Sequence, residues 1–182
     1  MTLASAITFV RLVSVPFAGR AILAEDWLVA CSLFWLAVAT DLVDGRIARA
    51  RGESSAFGGL LDHASDALFV TAGLAALAAG GRIPVALPVL VAVAFFQYVL
   101  DSRSLAGQPL RASAVGRWNG VCYFVPMGIL VTREALGLDQ PADPIVAGLA
   151  WILVATTLVS IADRALTLIG LGRGPRAGNP SA

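Results

Sequence analysis

Apolar stretches long enough to cross a bilayer recur along the whole chain, and nothing else in the sequence constrains the fold as strongly. A hydrocarbon core of about 30 Å takes roughly 20 helical residues. Stretches of that kind fall near residues 5–24, 27–50, 58–80, 83–103, 117–137 and 144–169. Only 14% of the 182 residues are charged and 58% are hydrophobic, a balance too apolar for an ordinary soluble domain. The expected fold is all-α: a polytopic membrane protein with six transmembrane helices and short connections. Residues 1–170 are expected to form one membrane domain. Residues 171–182, rich in Gly, Pro and Arg without periodicity, are expected to be a disordered tail.

Charge placement predicts an orientation. All 13 basic residues are arginine. With the N-terminus inside, Arg46, Arg49, Arg51, Arg103, Arg111, Arg117, Arg164, Arg173 and Arg176 fall on or near cytoplasmic segments, and Arg20, Arg82 and Arg133 fall outside. Both termini are therefore expected in the cytoplasm. Thr8, Arg11 and Pro16 interrupt the first apolar run, which argues against a cleavable signal peptide. Cys31 and Cys122 lie inside spans and read as buried small thiols. The net charge of +1 says little about partners, and no nucleic acid is expected among them.

Four aspartates stand out against this background. Asp41 and Asp44 are i, i+3 neighbours and Asp62 and Asp66 are i, i+4 neighbours, so on helices each pair shares a face. Uncompensated carboxylates near hydrocarbon cost at least a few kcal/mol each, so these are expected to face a cavity and to be neutralised by cations. An oxygen-only ligand set favours magnesium, manganese or calcium over zinc. His63 lies between two of the aspartates but is turned roughly 100° from Asp62 on a helix, which suits packing better than ligation. A cation transporter would also carry buried carboxylates, but scattered over several spans near the bilayer midplane. Here they cluster at one end of two predicted helices.

The stretch from Asp41 to Asp66 reads D-x-x-D-G-x-x-A-R-x8-G-x-x-x-D-x-x-x-D, with Gly45, Ala48, Arg49 and Gly58 at the remaining fixed positions. It resembles the signature of the CDP-alcohol phosphotransferases, with eight fixed residues in register over 26 positions. The resemblance implies an enzyme in which a CDP-activated lipid, CDP-diacylglycerol, gives its phosphatidyl group to an alcohol and CMP is released. It implies two divalent cations, magnesium or manganese, held by Asp41, Asp44, Asp62 and Asp66. Asp66 corresponds to the general base. A homodimer in the bacterial cytoplasmic membrane is implied as well, with the site on the cytoplasmic side. Gly45, Ala48 and Gly58 are expected to give the donor's CDP close approach, and Arg49 to reach its phosphate oxygens with a planar fork. Arg46 and Arg51 have the simpler reading of interfacial snorkelling charges. In the first span, Thr8, Arg11 and Pro16 match the latter part of a family pattern N-x-x-T-x-x-R-x-x-x-x-P, with Ser5 in place of the asparagine. Thr8 is the expected nucleotide contact there.

The acceptor is read from arginines. Arg103, Arg111 and Arg117 flank the connection between the fourth and fifth spans, which suits an anionic acceptor such as glycerol 3-phosphate. The positive-inside rule alone would also place them there. Glycerol 3-phosphate is the first expectation, an inositol phosphate or a phosphatidylglycerol acceptor (cardiolipin synthesis) the next. Tyr98, Asp101, Trp118 and Tyr123 keep a choline or ethanolamine cage open.

Overall fold

The computed structural model describes the backbone of residues 3–51, 56–101 and 114–168, and the side chains of residues 11–42, 59, 62–99 and 115–166. All of the regular structure in these residues is helical: α1 Leu3–Leu23, α2 Trp27–Arg51, α3 Ala56–Ala79, α4 Ala86–Asp101, α5 Ala114–Cys122, α6 Phe124–Ala135 and α7 Asp143–Leu168. The all-α expectation holds. The predicted 171–182 tail, Arg103 and Arg111 lie outside the described residues.

Two boundaries differ from the sequence reading, for reasons set by proline. The predicted fifth span, 117–137, is two helices separated at Tyr123. Pro126 has no N–H to give the Cys122 carbonyl, and it falls in the first turn of α6, where that N–H would be unpaired anyway. The predicted fourth span, 83–103, starts three residues later than expected because Pro84 and Pro88 set the start of α4 at Ala86. Among the described residues, only Asp143–Leu166 of α7 is long and apolar enough to pass as a span on its own. Trp27–Leu42 and Ala86–Val99 are shorter apolar segments. Arg11, Asp41, Asp62 and Asp66 interrupt the apolar runs of α1, α2 and α3, and these residues build the site.

One end of the bundle is tightly tied. α1, α3 and α6 all stop there with the same cap, a left-handed residue followed by an i to i−5 hydrogen bond. The left-handed residues are Glu25, Gly81 and Gly137, and the bonds run from Asp26 to Ala21, Arg82 to Leu77 and Leu138 to Arg133. Two of these positions carry glycine, which needs no steric concession at φ near +60°; Glu25 holds φ 55° without that freedom. Asp26 then caps α2 by accepting from the Val29 N–H. Arg133, buried in the last turn of α6, donates to the Pro141 carbonyl, to Glu134 and to Asp143 at the start of α7. Arg82 pairs with Glu134 at 3.0 Å and lies over the Trp27 ring. Four helices are clamped at this end.

The interior packs where side chains are small. A Cβ on Gly19 would come within 3.9 Å of the Ala72 carbonyl, so α1 lies close along α3. A Cβ on Gly73 would overlap the end of the buried Met127 side chain, and one on Gly128 would sit 2.7 Å from the tip of the Phe34 ring. These two glycines seat α6 against α3 and α2. Trp35 donates to Thr132 at 3.0 Å along the same α2–α6 seam. Phe69, Leu74, Leu77, Leu87, Met127 and Leu130 are fully buried between the helices.

Candidate active site

The other end of the bundle is polar inside. α1 packs against both α2 and α3, which among the described residues make no extended contact with each other, and α4 and α7 continue the wall from α3. α6 closes the ring onto α2, whereas α5 leans on α6 and α7 instead. The space enclosed at the α5 end is a cavity of about 810 Å³. Its lining includes Asp41 and Leu42 of α2, Asp62, His63 and Asp66 of α3, Gln97 and Tyr98 of α4, Arg117 and Val121 of α5, and Arg164 of α7.

Three of the four predicted carboxylates meet there. Asp41, Asp62 and Asp66 each present an oxygen within 4.8 Å of the other two. The helical spacing explains the α3 pair, one turn apart on one face; Asp41 arrives from α2 because α1 holds both helices. Asp44, Gly45, Ala48 and Arg49 lie on α2, Gly58 on α3 and Thr8 on α1, and their side chains are outside the described residues.

The carboxylates close on Arg11, which the sequence reading used only as a pattern residue. Its guanidinium is almost fully buried, with 1% of the side chain exposed. Nη1 donates to Asp62 Oδ1 at 3.0 Å and to Asp66 Oδ1 at 2.5 Å, and Ser65 Oγ lies 3.5 Å away. Nη2 is 3.4 Å from Asp41 Oδ1, close enough for an ion pair though not aligned as a hydrogen bond. A single cation is thus gathered by three carboxylates, the arrangement that a hard divalent ion requires. The oxygen donors fit such an ion.

Opposite the carboxylates the cavity is cationic and aromatic. The Arg164 guanidinium carbon sits 5.3 Å from the Tyr98 ring centroid, and His63 stacks on the same ring at 5.8 Å, with 23° between planes. Arg164 Nη1 and Gln97 Oε1 are buried and have no hydrogen-bond partner among the described residues. Arg117 lines the same cavity from α5 and is otherwise exposed. His63 therefore belongs to the cavity wall, not to bundle packing. Tyr98 packs against two of its residues. Of the residues named for a choline cage, Tyr98 and Tyr123 line the cavity, with the Tyr123 hydroxyl bound to Thr157 at 2.7 Å; Trp118 is 71% exposed and is not part of the lining, and the Asp101 side chain lies outside the described residues.

Known proteins bear on this geometry directly. The family model described as CDP-alcohol phosphatidyltransferase matches residues 1–162. The chain is 27% identical over 178 residues to a Schizosaccharomyces pombe protein named cardiolipin synthase (CMP-forming) / mitochondrial hydrolase fusion protein. That alignment covers 87% of this chain but only 30% of the fission-yeast protein. It is 28% identical over 183 residues to a Mycobacterium tuberculosis protein named probable phosphatidylglycerophosphate synthase, covering 92% of this chain and 83% of the relative. The same match recurs in a second strain of that organism. A family model that spans nearly the whole helical bundle, carboxylate cluster included, decides the assignment: the chain belongs to the CDP-alcohol phosphatidyltransferase family.

Proposed function

We propose that the protein transfers the phosphatidyl group of CDP-diacylglycerol to glycerol 3-phosphate, releasing CMP. The observation that carries this reading is the shared cavity: carboxylates on its α2–α3 wall and Arg117 and Arg164 on its α5–α7 wall. Such a site has one side for a cation-bound diphosphate and another for an anionic acceptor, and Arg is the side chain best suited to grip phosphate. The mycobacterial relative's name points to the same acceptor.

The family is divalent-metal dependent in general. Asp41, Asp44, Asp62 and Asp66 would hold two magnesium or manganese ions, whose charge offsets that of the donor diphosphate as CMP leaves. The residues of this chain do the remaining work. Arg117 and Arg164, with Arg103 and Arg111 in the preceding segment, bind the acceptor phosphate. Asp66 receives the proton of the acceptor hydroxyl as its oxygen bonds to the phosphatidyl phosphorus and the bond to CMP breaks. Thr8, Gly45, Ala48, Arg49 and Gly58 hold the CDP moiety. The family is membrane-embedded. For this chain we propose six spans, α5 and α6 together making the fifth, with the carboxylate end and both termini cytoplasmic and the chain acting as a homodimer in a bacterial cytoplasmic membrane. The arginine distribution supports this orientation.

The fission-yeast relative's name supports a second reading, in which phosphatidylglycerol is the acceptor. One experiment separates the two. Purified protein in detergent is incubated with CDP-diacylglycerol, magnesium or manganese, and in turn glycerol 3-phosphate, phosphatidylglycerol, an inositol phosphate or choline, and CMP release is measured. Release dependent on glycerol 3-phosphate is expected; release with phosphatidylglycerol alone selects the second reading, and release with none sinks both.

A further inference from the structure

We infer that Arg11 is a resident counter-cation of the carboxylate cluster, which holds Asp41, Asp62 and Asp66 together and competes with a divalent cation for the same oxygens. The inference rests on the metal reading given above for that cluster. Among the described residues α2 and α3 make no extended packing contact, so the cluster is assembled through α1, and Arg11 is the described α1 side chain that reaches both sides. Three carboxylates within 4.8 Å repel one another, and Asp41 would leave first: its contact is the longest and its side chain is 47% exposed. The guanidinium opposes that separation.

The same contacts make Arg11 a competitor. It bonds the Oδ1 atoms of Asp62 and Asp66, two of the three carboxylates whose oxygens gather within 4.8 Å of one another. Its Nε and Nη2 have no hydrogen-bond partner among the described residues, so the carboxylates do most to fix the guanidinium in place. A dication brings twice the charge, and magnesium approaches carboxylate oxygens to about 2.0–2.1 Å, closer than a hydrogen-bonded guanidinium. Binding it requires Arg11 to yield its contacts, and that requirement weakens the measured affinity.

The test uses the full-length protein in detergent, with Arg11→Gln and Arg11→Lys. Thermal unfolding is followed in EDTA and in excess magnesium, and manganese binding is measured by the EPR signal of the free ion. Arg11→Gln is expected to unfold at a lower temperature than the wild type in EDTA and at the wild-type temperature in magnesium. It should also bind manganese about tenfold more tightly, because the competing charge is gone. Arg11→Lys, which keeps the charge, should stay near the wild type in EDTA. An equal loss of stability in both conditions, failure of Arg11→Gln to fold even in magnesium, or unchanged or weaker manganese binding overturns the inference. A wild type that binds no manganese instead overturns the metal reading on which it rests.

Discussion

Arg164 of α7 lies over the Tyr98 ring of α4 with its Nη1 buried and without a hydrogen-bond partner among the described residues, and it lines the cavity that Asp41, Asp62 and Asp66 also line. A ring face holds the cation from behind and leaves donors free in front. If that is the acceptor-phosphate site, Arg164→Gln should raise KM for glycerol 3-phosphate by roughly 10- to 100-fold, the loss of a charged hydrogen bond of about 1.5–3 kcal/mol, with KM for CDP-diacylglycerol little changed. Arg117→Gln should act in the same direction. Arg49→Gln should show the reverse preference. Equal effects on both substrates at Arg164 would remove it from the acceptor site.

Chelation is the test of the carboxylates. Excess EDTA should abolish CMP release and magnesium or manganese should restore it. Asp41→Asn, Asp44→Asn and Asp62→Asn should each lose most activity while remaining in the membrane fraction. Full turnover in EDTA would be incompatible with the metal assignment.

Asp66 and His63 line the same cavity and are separated by their roles. Asp66→Asn keeps the shape and loses the basicity, so kcat should fall by a factor of about 10² or more. His63→Ala should have a small effect, since the ring stacks on Tyr98 and bonds no carboxylate among the described residues. A comparable fall for His63→Ala would exchange the two assignments.

Two glycines at the α6 seam should respond differently to the same change. A Cβ at Gly128 meets the Phe34 ring, which is buried between Trp35 and Phe124 and has little room to move. A Cβ at Gly73 meets the flexible end of Met127. Gly128→Ala should therefore cost about 1–3 kcal/mol and lower the unfolding temperature by several degrees. Gly73→Ala should fall well short of that, because Met127 can repack and alanine favours the helix by up to about 1 kcal/mol. Unfolding curves in detergent with magnesium decide it.

Glu25 holds a left-handed conformation that glycine occupies at the two matching helix ends. Glu25→Gly should raise stability by about 1 kcal/mol without affecting turnover. A lower unfolding temperature would mean the Glu25 side chain contributes more than its backbone strain costs.

The helices and the carboxylates were legible because both follow from local rules. Apolar runs have the length of a membrane span, and the Asp62–Asp66 pair is fixed by the rise of a single helix. What was not legible depends on which helices meet. Arg11 looked like one residue of a weak pattern, although an arginine within an apolar span must find an acid, and that rule would have pointed to the aspartates. Arg164 was hidden by the positive-inside rule, which accounts for a basic residue near a helix end without asking what it touches. His63 was judged by its angle from Asp62 alone; that angle turns it away from the cluster and towards Tyr98, still inside the cavity. The break at Tyr123 could have been read from Pro126.

That break makes the fifth span two mechanical parts. α6 is locked into α2 through Phe34, Gly128, Trp35 and Thr132, while α5 carries Arg117 and is joined to it across a missing backbone hydrogen bond. Movement of α5 therefore bends at a joint and does not strain the whole bundle. On the proposed function, the Arg117 wall is then free to adjust to an acceptor while the wall that bears the carboxylates keeps its register.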